Sequence, residues 1–173
     1  WTQPISRLSL ITIGANFSQE YDFTSMGGSV IYSRDFNDRN TTLILGSSIE
    51  LDTINPEGGI PTPLAAMVGS GTTQPRQASD DTKKGLDGMI GVTQVIDART
   101  LTQLNYSFSR SDGYLTDPFK ILTVLDSSTN LPQRYVYENR PDMRTKHALY
   151  WLVRRRLARD VISASYRLFK DDW

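Results

Sequence analysis

Hydrophobic and polar residues alternate along most of the chain with a period of two, the signature of β-strands that are apolar on one face only. In the first run Ile11, Ile13, Ala15, Phe17 and Tyr21 share one face, and Thr12, Gly14, Asn16, Ser18 and Glu20 the other. A short turn near 19–23 leads to a second run, where Met26, Val30, Tyr32 and Phe36 oppose Ser25, Gly27, Ser29 and Ser33. Asn37-Asp38-Arg39-Asn40 then marks a tight turn, because Asn and Asp tolerate the positive φ that hairpins need. Leu43, Leu45, Ile49 and Leu51 follow, opposite Thr42, Gly46, Ser48, Glu50 and Asp52.

A stretch rich in Gly, Pro, Ser and Thr over about 55–84 reads as a long loop. Alternation resumes with Leu86, Gly88, Ile90, Val92 and Ile96 against Asp87, Gly91 and Thr93. Beyond a tight turn at 97–99, Leu104, Tyr106 and Phe108 oppose Gln103, Asn105, Ser107, Ser109 and Ser111. A second long loop, about 112–143, precedes a sixth run over 144–157, and a turn at 158–160 separates that run from a seventh over 161–173.

The tight turns at 37–40, 97–99 and 158–160 are alternate connections, so in an up-and-down meander they share one end. The loops 55–84 and 112–143, with the turn near 19–23, share the other. Outer-membrane barrels have this asymmetry of short periplasmic turns and long extracellular loops. A soluble sandwich with Greek-key crossings has no reason to sort its loops in this way. Each run supports about ten to fourteen extended residues, against ~9–11 to cross a bilayer and about 5–6 in average soluble strands.

The expected fold is therefore all-β: an antiparallel up-and-down transmembrane β-barrel, with 1–173 forming one segment of about seven long strands. Strands in lipid need every backbone group paired, hence a closed cylinder. Bacterial single-chain barrels use an even strand number, so the chain is expected to be an interior part of a larger barrel. The sixth run is ambiguous, because Ala148 to Arg159 also fits an amphipathic helix. As a strand it sends Leu149, Trp151 and Val153 outward, and Tyr150 and Arg154 inward. Its arginines then sit near a rim, where charge costs about 0–1 kcal/mol rather than the ~2–4 of mid-bilayer.

Composition fits strands that are apolar on one side. Hydrophobic residues make up 38%, yet there are eight Tyr and three Trp; a soluble β-sandwich shares much of this signature. A net charge of zero gives no bulk attraction for nucleic acid. The absence of cysteine excludes disulfides, thiolate metal sites and a Cys nucleophile. No stretch approaches the ~20 apolar residues of a transmembrane helix. The first residue is not Met and no basic-then-apolar leader precedes the first run, so a leader or further N-terminal sequence is expected outside it.

Several runs are similar to a known family. They are Gln19-Glu20-Tyr21-Asp22-Phe23, the stretch from Ser33 to Thr42, Asp112-Gly113-Tyr114-Leu115-Thr116-Asp117-Pro118-Phe119-Lys120, Tyr137-Glu138-Asn139-Arg140-Pro141-Asp142, Arg144-Thr145-Lys146-His147-Ala148 and the stretch from Tyr166 to Trp173. Together they resemble DUF3570, a family of bacterial proteins of unknown function. The resemblance implies a Gram-negative outer-membrane protein longer than this chain, in contact with outer-membrane lipid, with a periplasmic or lipoprotein partner. It brings no activity and no catalytic residues.

His147 is the only histidine, and no G-x-S-x-G turn surrounds a serine, so it reads as a polar residue at a strand's outer rim. Its count excludes His- or Cys-based metal sites. Glu20, Asp22, Glu50 and Asp52 approach the extracellular rim from neighbouring strands, with Asp80, Asp81 and Asp112 on nearby loops. Such oxygen ligands suit Ca²⁺, although no D-x-D-x-D-G loop is present; a solvated acidic rim is the plainer reading.

Tyr114, Phe119, Tyr135 and Tyr137 make the second loop unusually aromatic, and Arg140 stands among them. They form a ligand or partner platform, an inward constriction, or packing of the loop onto an aromatic rim. Asn16, Ser48, Asp87, Thr93, Gln103, Asn105, Ser107 and Ser109 make a small, mostly uncharged inner wall with no selectivity ring. The expected function is a pore, an export conduit or a membrane scaffold for a partner. An outer-membrane enzyme with its catalytic groups elsewhere and a soluble β-sandwich binding module are the alternatives.

Overall fold

The computed structural model describes residues 1–173 and contains strands but no helix. In chain order the strands are β1 (Thr2–Ser6), β2 (Ser9–Gln19), β3 (Phe23–Phe36), β4 (Thr41–Ile54), β5 (Ile60–Pro61) and β6 (Arg76–Ala78). They continue with β7 (Asp81–Asp97), β8 (Thr100–Gly113), β9 (Ile121–Leu125), β10 (Pro132–Tyr137), β11 (Met143–Arg156) and β12 (Val161–Asp171). Eight of them form one antiparallel sheet in the order β1-β2-β3-β4-β7-β8-β11-β12. The pairs β5-β6 and β9-β10 are small sheets inside the two long loops.

Register follows the alternation. Ile11, Tyr32, Leu45, Ile90, Tyr106, Leu149 and Leu168 stand opposite one another in a single row across seven strands. Three residues along, Gly14, Ser29, Ser48, Asp87, Ser109, Lys146 and Asp171 form a row on the reverse face. A slip of one residue would exchange the faces, so the pattern fixes the pairing. The polar face is not uniformly so: Ile31 and Met89 flank Gly46, where a Cβ would sit in ordinary contact with both.

Two expectations change in detail, and the sheet is an open one. The sheet has eight strands, not seven, because Thr2–Ser6 pairs with β2 through a register shift between Pro4 and Ser6. Pro4 hides this strand, since proline lacks an N–H and is tolerated only at edges or bulges. The first long loop ends at Asp80, and β7 starts at Asp81. The sheet is also not closed into a cylinder, because β1 and β12 have one partner each. β1 runs 5 residues against the 11 of β12, so the two edges do not match in length. The segment that also suited a helix is a strand through Arg156, paired on both sides by β8 and β12.

Only 10 of 173 residues are buried, so no second layer packs on the sheet. Of 108 backbone hydrogen bonds, 87 lie within the strands. What core exists sits at the long-loop end, where Ile54, Ile60, Val136 and Tyr137 are buried. Ser25 and Asp52 are buried beside them, and both belong to the polar face. The loops therefore fold inward over that face rather than away from it.

The second loop departs from β8 at Gly113, whose φ of 111° is unfavourable for any side chain. A Cβ there would overlap the Thr82 carbonyl oxygen. Gly113→Ala is expected to cost about 1–3 kcal/mol in urea unfolding. Gly69→Ala, whose Cβ would meet nothing within 4 Å, is expected to stay within about 0.5 kcal/mol. Equal shifts for the two variants would contradict the strained departure.

Candidate functional site at the loop end of the sheet

The two long loops are joined by main-chain pairing. Leu64 N–H donates to the Tyr137 carbonyl at 3.1 Å, Tyr137 N–H to the Ala65 carbonyl at 3.1 Å, and Met67 N–H to the Tyr135 carbonyl at 2.9 Å. The first loop thus adds an extended segment to the edge of β10. Tyr137 is buried at their junction, and its hydroxyl donates to Gln74 Oε1 at 3.0 Å. Gln74 is itself held by both backbone groups of Val68. Phe119 meets the Tyr137 ring edge-on, with centroids 5.5 Å apart.

Arg76 lies over the same pair, 5.0 Å from the Tyr137 ring centre and 6.0 Å from that of Phe119. Its Nε donates to the Gly58 carbonyl at 2.8 Å. A cation over two ring faces is attracted by their negative quadrupole. Tyr135, two residues before Tyr137 in β10, is half exposed. Of the aromatic candidates, Phe119 and Tyr137 come together as the packing of a cap.

Arg140 ties the ascending and descending arms of the second loop. Its Nη1 donates to the Leu115 carbonyl at 3.2 Å and its Nη2 to Glu138 Oε2 at 2.9 Å, while its backbone N–H reaches Thr116 Oγ1 at 3.2 Å. The Arg140 hydrogen bond holds the Glu138 carboxyl below its usual range. Beneath this knot a cleft of about 220 Å³ opens between the loop and the polar face. The sheet contributes Lys83, Arg144 and Lys146, and the loop Tyr114, Asp117 and Arg140, with Trp173 at one side.

Three of the four cations are held from outside the lining. Lys83 pairs with Asp52 at 2.8 Å, Arg140 with Glu138, and Arg144 with Asp171 through Nε and Nη2. Arg144 also lies 4.5 Å from the centre of a Trp173 ring. The chain's four ion pairs use Lys83, Arg110, Arg140 and Arg144, so Lys146 enters none. Burial raises the Asp117 carboxyl above its usual range, with nearby Asp22 adding to the effect and Lys83 and Arg140 opposing it. Burial also raises the Tyr114 phenol, with Asp117 and Asp81 adding to it.

The acidic candidates do not converge. Glu50 accepts a hydrogen bond from the Ser25 hydroxyl at 3.0 Å, and Asp52 Oδ2 is taken by Lys83. Glu20 and Asp22 lie exposed in the β2–β3 turn. No group of three or more His, Cys, Asp or Glu side chains is arranged to hold a metal ion. His147 stands on the apolar face rather than at a rim, with its Nδ1 2.8 Å from the Tyr106 hydroxyl and its ring against Phe108.

A family model described as "Protein of unknown function (DUF3570)" matches residues 1–173. The chain belongs to this family. No curated protein and no solved structure matches it. For this DUF3570 chain the site must therefore be read from its own geometry.

The pattern of the DUF3570 chain pointed to Tyr114, Phe119, Tyr137 and Arg140 but missed Arg76, Lys83, Arg144 and Lys146. A signal for two of these was present. Arg144 and Lys146 are two apart in a strand, so they share a face, and Ser111 pairs with Arg144. The role of Arg76 was not legible, because it depends on two loops meeting.

Tyr137→Ala is expected to cost on the order of 3–5 kcal/mol, the scale of emptying a buried aromatic site, and to open both loops to limited proteolysis. Tyr137→Phe, which loses one hydrogen bond, should cost about 1 kcal/mol; protection equal to the parent in both variants would argue against the cap. A raised carboxylate pKa adds stability below the ordinary range near 3.9, and that stability is lost as pH rises through the folded value. Asp117→Asn is therefore expected to stabilise the loops near neutral pH, with the gain vanishing in acid; a gain independent of pH would exclude this origin.

Proposed function

We propose that the chain forms part of the wall of an outer-membrane conduit, with one face of the sheet against lipid, the other lining an aqueous lumen, and the inward loops narrowing its outer mouth. The observation that supports this most is the continuous apolar face. Leu45, Ile90, Tyr106 and Leu149 of the central row are each at least 38% exposed, and no protein layer covers them. Exposed contiguous apolar surface on this scale needs a non-aqueous partner.

The dimensions agree with that reading. From Leu43 to Leu51, eight residue steps along β4 span ~27 Å of extended chain before tilt, on the scale of the ~25 Å apolar band of outer-membrane barrels. Trp151 and Tyr166 face each other on this side near the tight turns, and Phe17 marks the loop end, as interfacial aromatics would. Asn16, Ser48, Asp87, Gln103 and Asn105 give the reverse face hydrogen-bonding groups suited to water. Ser48 donates to Asp87 at 3.1 Å, and Gln103 to Asn105 at 3.3 Å.

The protein is expected to sediment with the outer membrane, to migrate differently on gels before and after heating, and to give conductance steps in planar bilayers. Ile90→Arg should impair assembly by about 2–4 kcal/mol, whereas Ser48→Arg on the reverse face should be tolerated. A chain that stays in solution without detergent, with both variants equally tolerated, would refute the membrane reading. A heat-modifiable protein that never conducts would leave the membrane wall but remove the conduit.

A further inference from the structure

We propose that the cleft beneath the 114–118 loop binds a small oxyanion of the phosphate type. The proposal deepens the conduit reading, because only that reading makes the cleft the mouth of a lumen. Four cationic side chains reach it from three places: Lys83 from β7, Arg144 and Lys146 from β11, and Arg140 from the loop. A single carboxylate, Asp117, shares the lining with them.

Preorganisation is the second argument. Asp52, Glu138 and Asp171 hold Lys83, Arg140 and Arg144 from outside the lining. Each cation retains donors beyond those contacts: an ammonium has three N–H groups and a guanidinium five. Lys83 uses one on Asp52, and Arg144 directs Nε and Nη2 to Asp171. Lys146 makes no ion pair and its ammonium donates no hydrogen bond, although its charge is felt by Asp171 on the neighbouring strand. Charge-assisted bonds to a tetrahedral or planar oxyanion are the strong kind, and positioned donors cost little further ordering on binding.

Size and surroundings narrow the class. The cleft of about 220 Å³ is below the ~300–1,000 Å³ of sites for drug-sized molecules. Trp173, stacked on Arg144, closes one side and leaves the loop backbone of Leu115 above it. Burial disfavours charge on Asp117, which weakens the one internal competitor for the cations. Asp117 is thus a tethered rival that an incoming anion displaces.

The test is calorimetric titration of the full chain in detergent micelles with sodium phosphate, near neutral pH and at low ionic strength. Single-site binding that weakens as NaCl is added is expected. Lys146→Met should weaken it at least about tenfold, and Asp117→Asn should tighten it. Lys170→Met, on the opposite face, should leave it unchanged. If Lys146→Met does not fold, Ser111→Asp adds a carboxylate to the cleft without breaking a native pair and should weaken binding likewise.

No saturable heat with the parent, or equal binding by a folded Lys146→Met or Ser111→Asp variant, overturns the site. The measurement needs no bilayer. A protein that conducts but takes up no phosphate loses the site alone. One that binds phosphate in micelles and never conducts retains the site and overturns the conduit.

Discussion

Main-chain hydrogen bonding across eight antiparallel strands carries this structure, because side-chain burial is almost absent from the sheet itself. The ladder tolerates this only while every strand keeps its register. Register in turn is set by side chains that differ between the two faces at each step. Tyr106 and Asn105 are neighbours in sequence, yet one meets Leu149 and Ile90 and the other meets Tyr150 and Gly91. Glycine at 91 is part of this arrangement, since a side chain there would crowd the Asn105 amide.

At the loop end a different logic applies. Ile54, Ile60, Val136 and Tyr137 make a small conventional core, and it is built from both loops together with the inner face of the sheet. The cations beneath it are spaced by carboxylates that belong to the strands or to the loop itself. Burial of Asp52 is tolerated because Lys83 compensates it at 2.8 Å; an unpaired carboxylate in that place would be costly. Packing above and charge pairing below thus share the same few residues.

The long strands, their faces and the order of the turns were legible because a period of two is a local property of the chain. Asn37, Asp38 and Arg39 all adopt positive φ, as the tight turn at 37–40 required. The loops were not legible in the same way. Nothing near Arg76 foretells an aromatic ring at position 137, and nothing near Met67 foretells a strand edge at Tyr135. Those contacts join residues about sixty or seventy positions apart and exist only once the sheet has set the loop bases side by side. β1 is illegible for a local reason, since Pro4 interrupts the alternation that marks the other strands.

The backbone pairing of Leu64–Met67 with Tyr135–Tyr137 has a consequence for how such a surface can change over time. Two loops that share a strand edge cannot change there independently, because an insertion within either paired segment breaks the same hydrogen bonds. Variation should instead collect at the tip of the β9–β10 hairpin. There Asp126 caps Ser128 and Thr129 through its own carboxylate, a self-contained turn that asks nothing of its neighbours. That tip is the natural place to graft an epitope or a label without disturbing the paired loop segments.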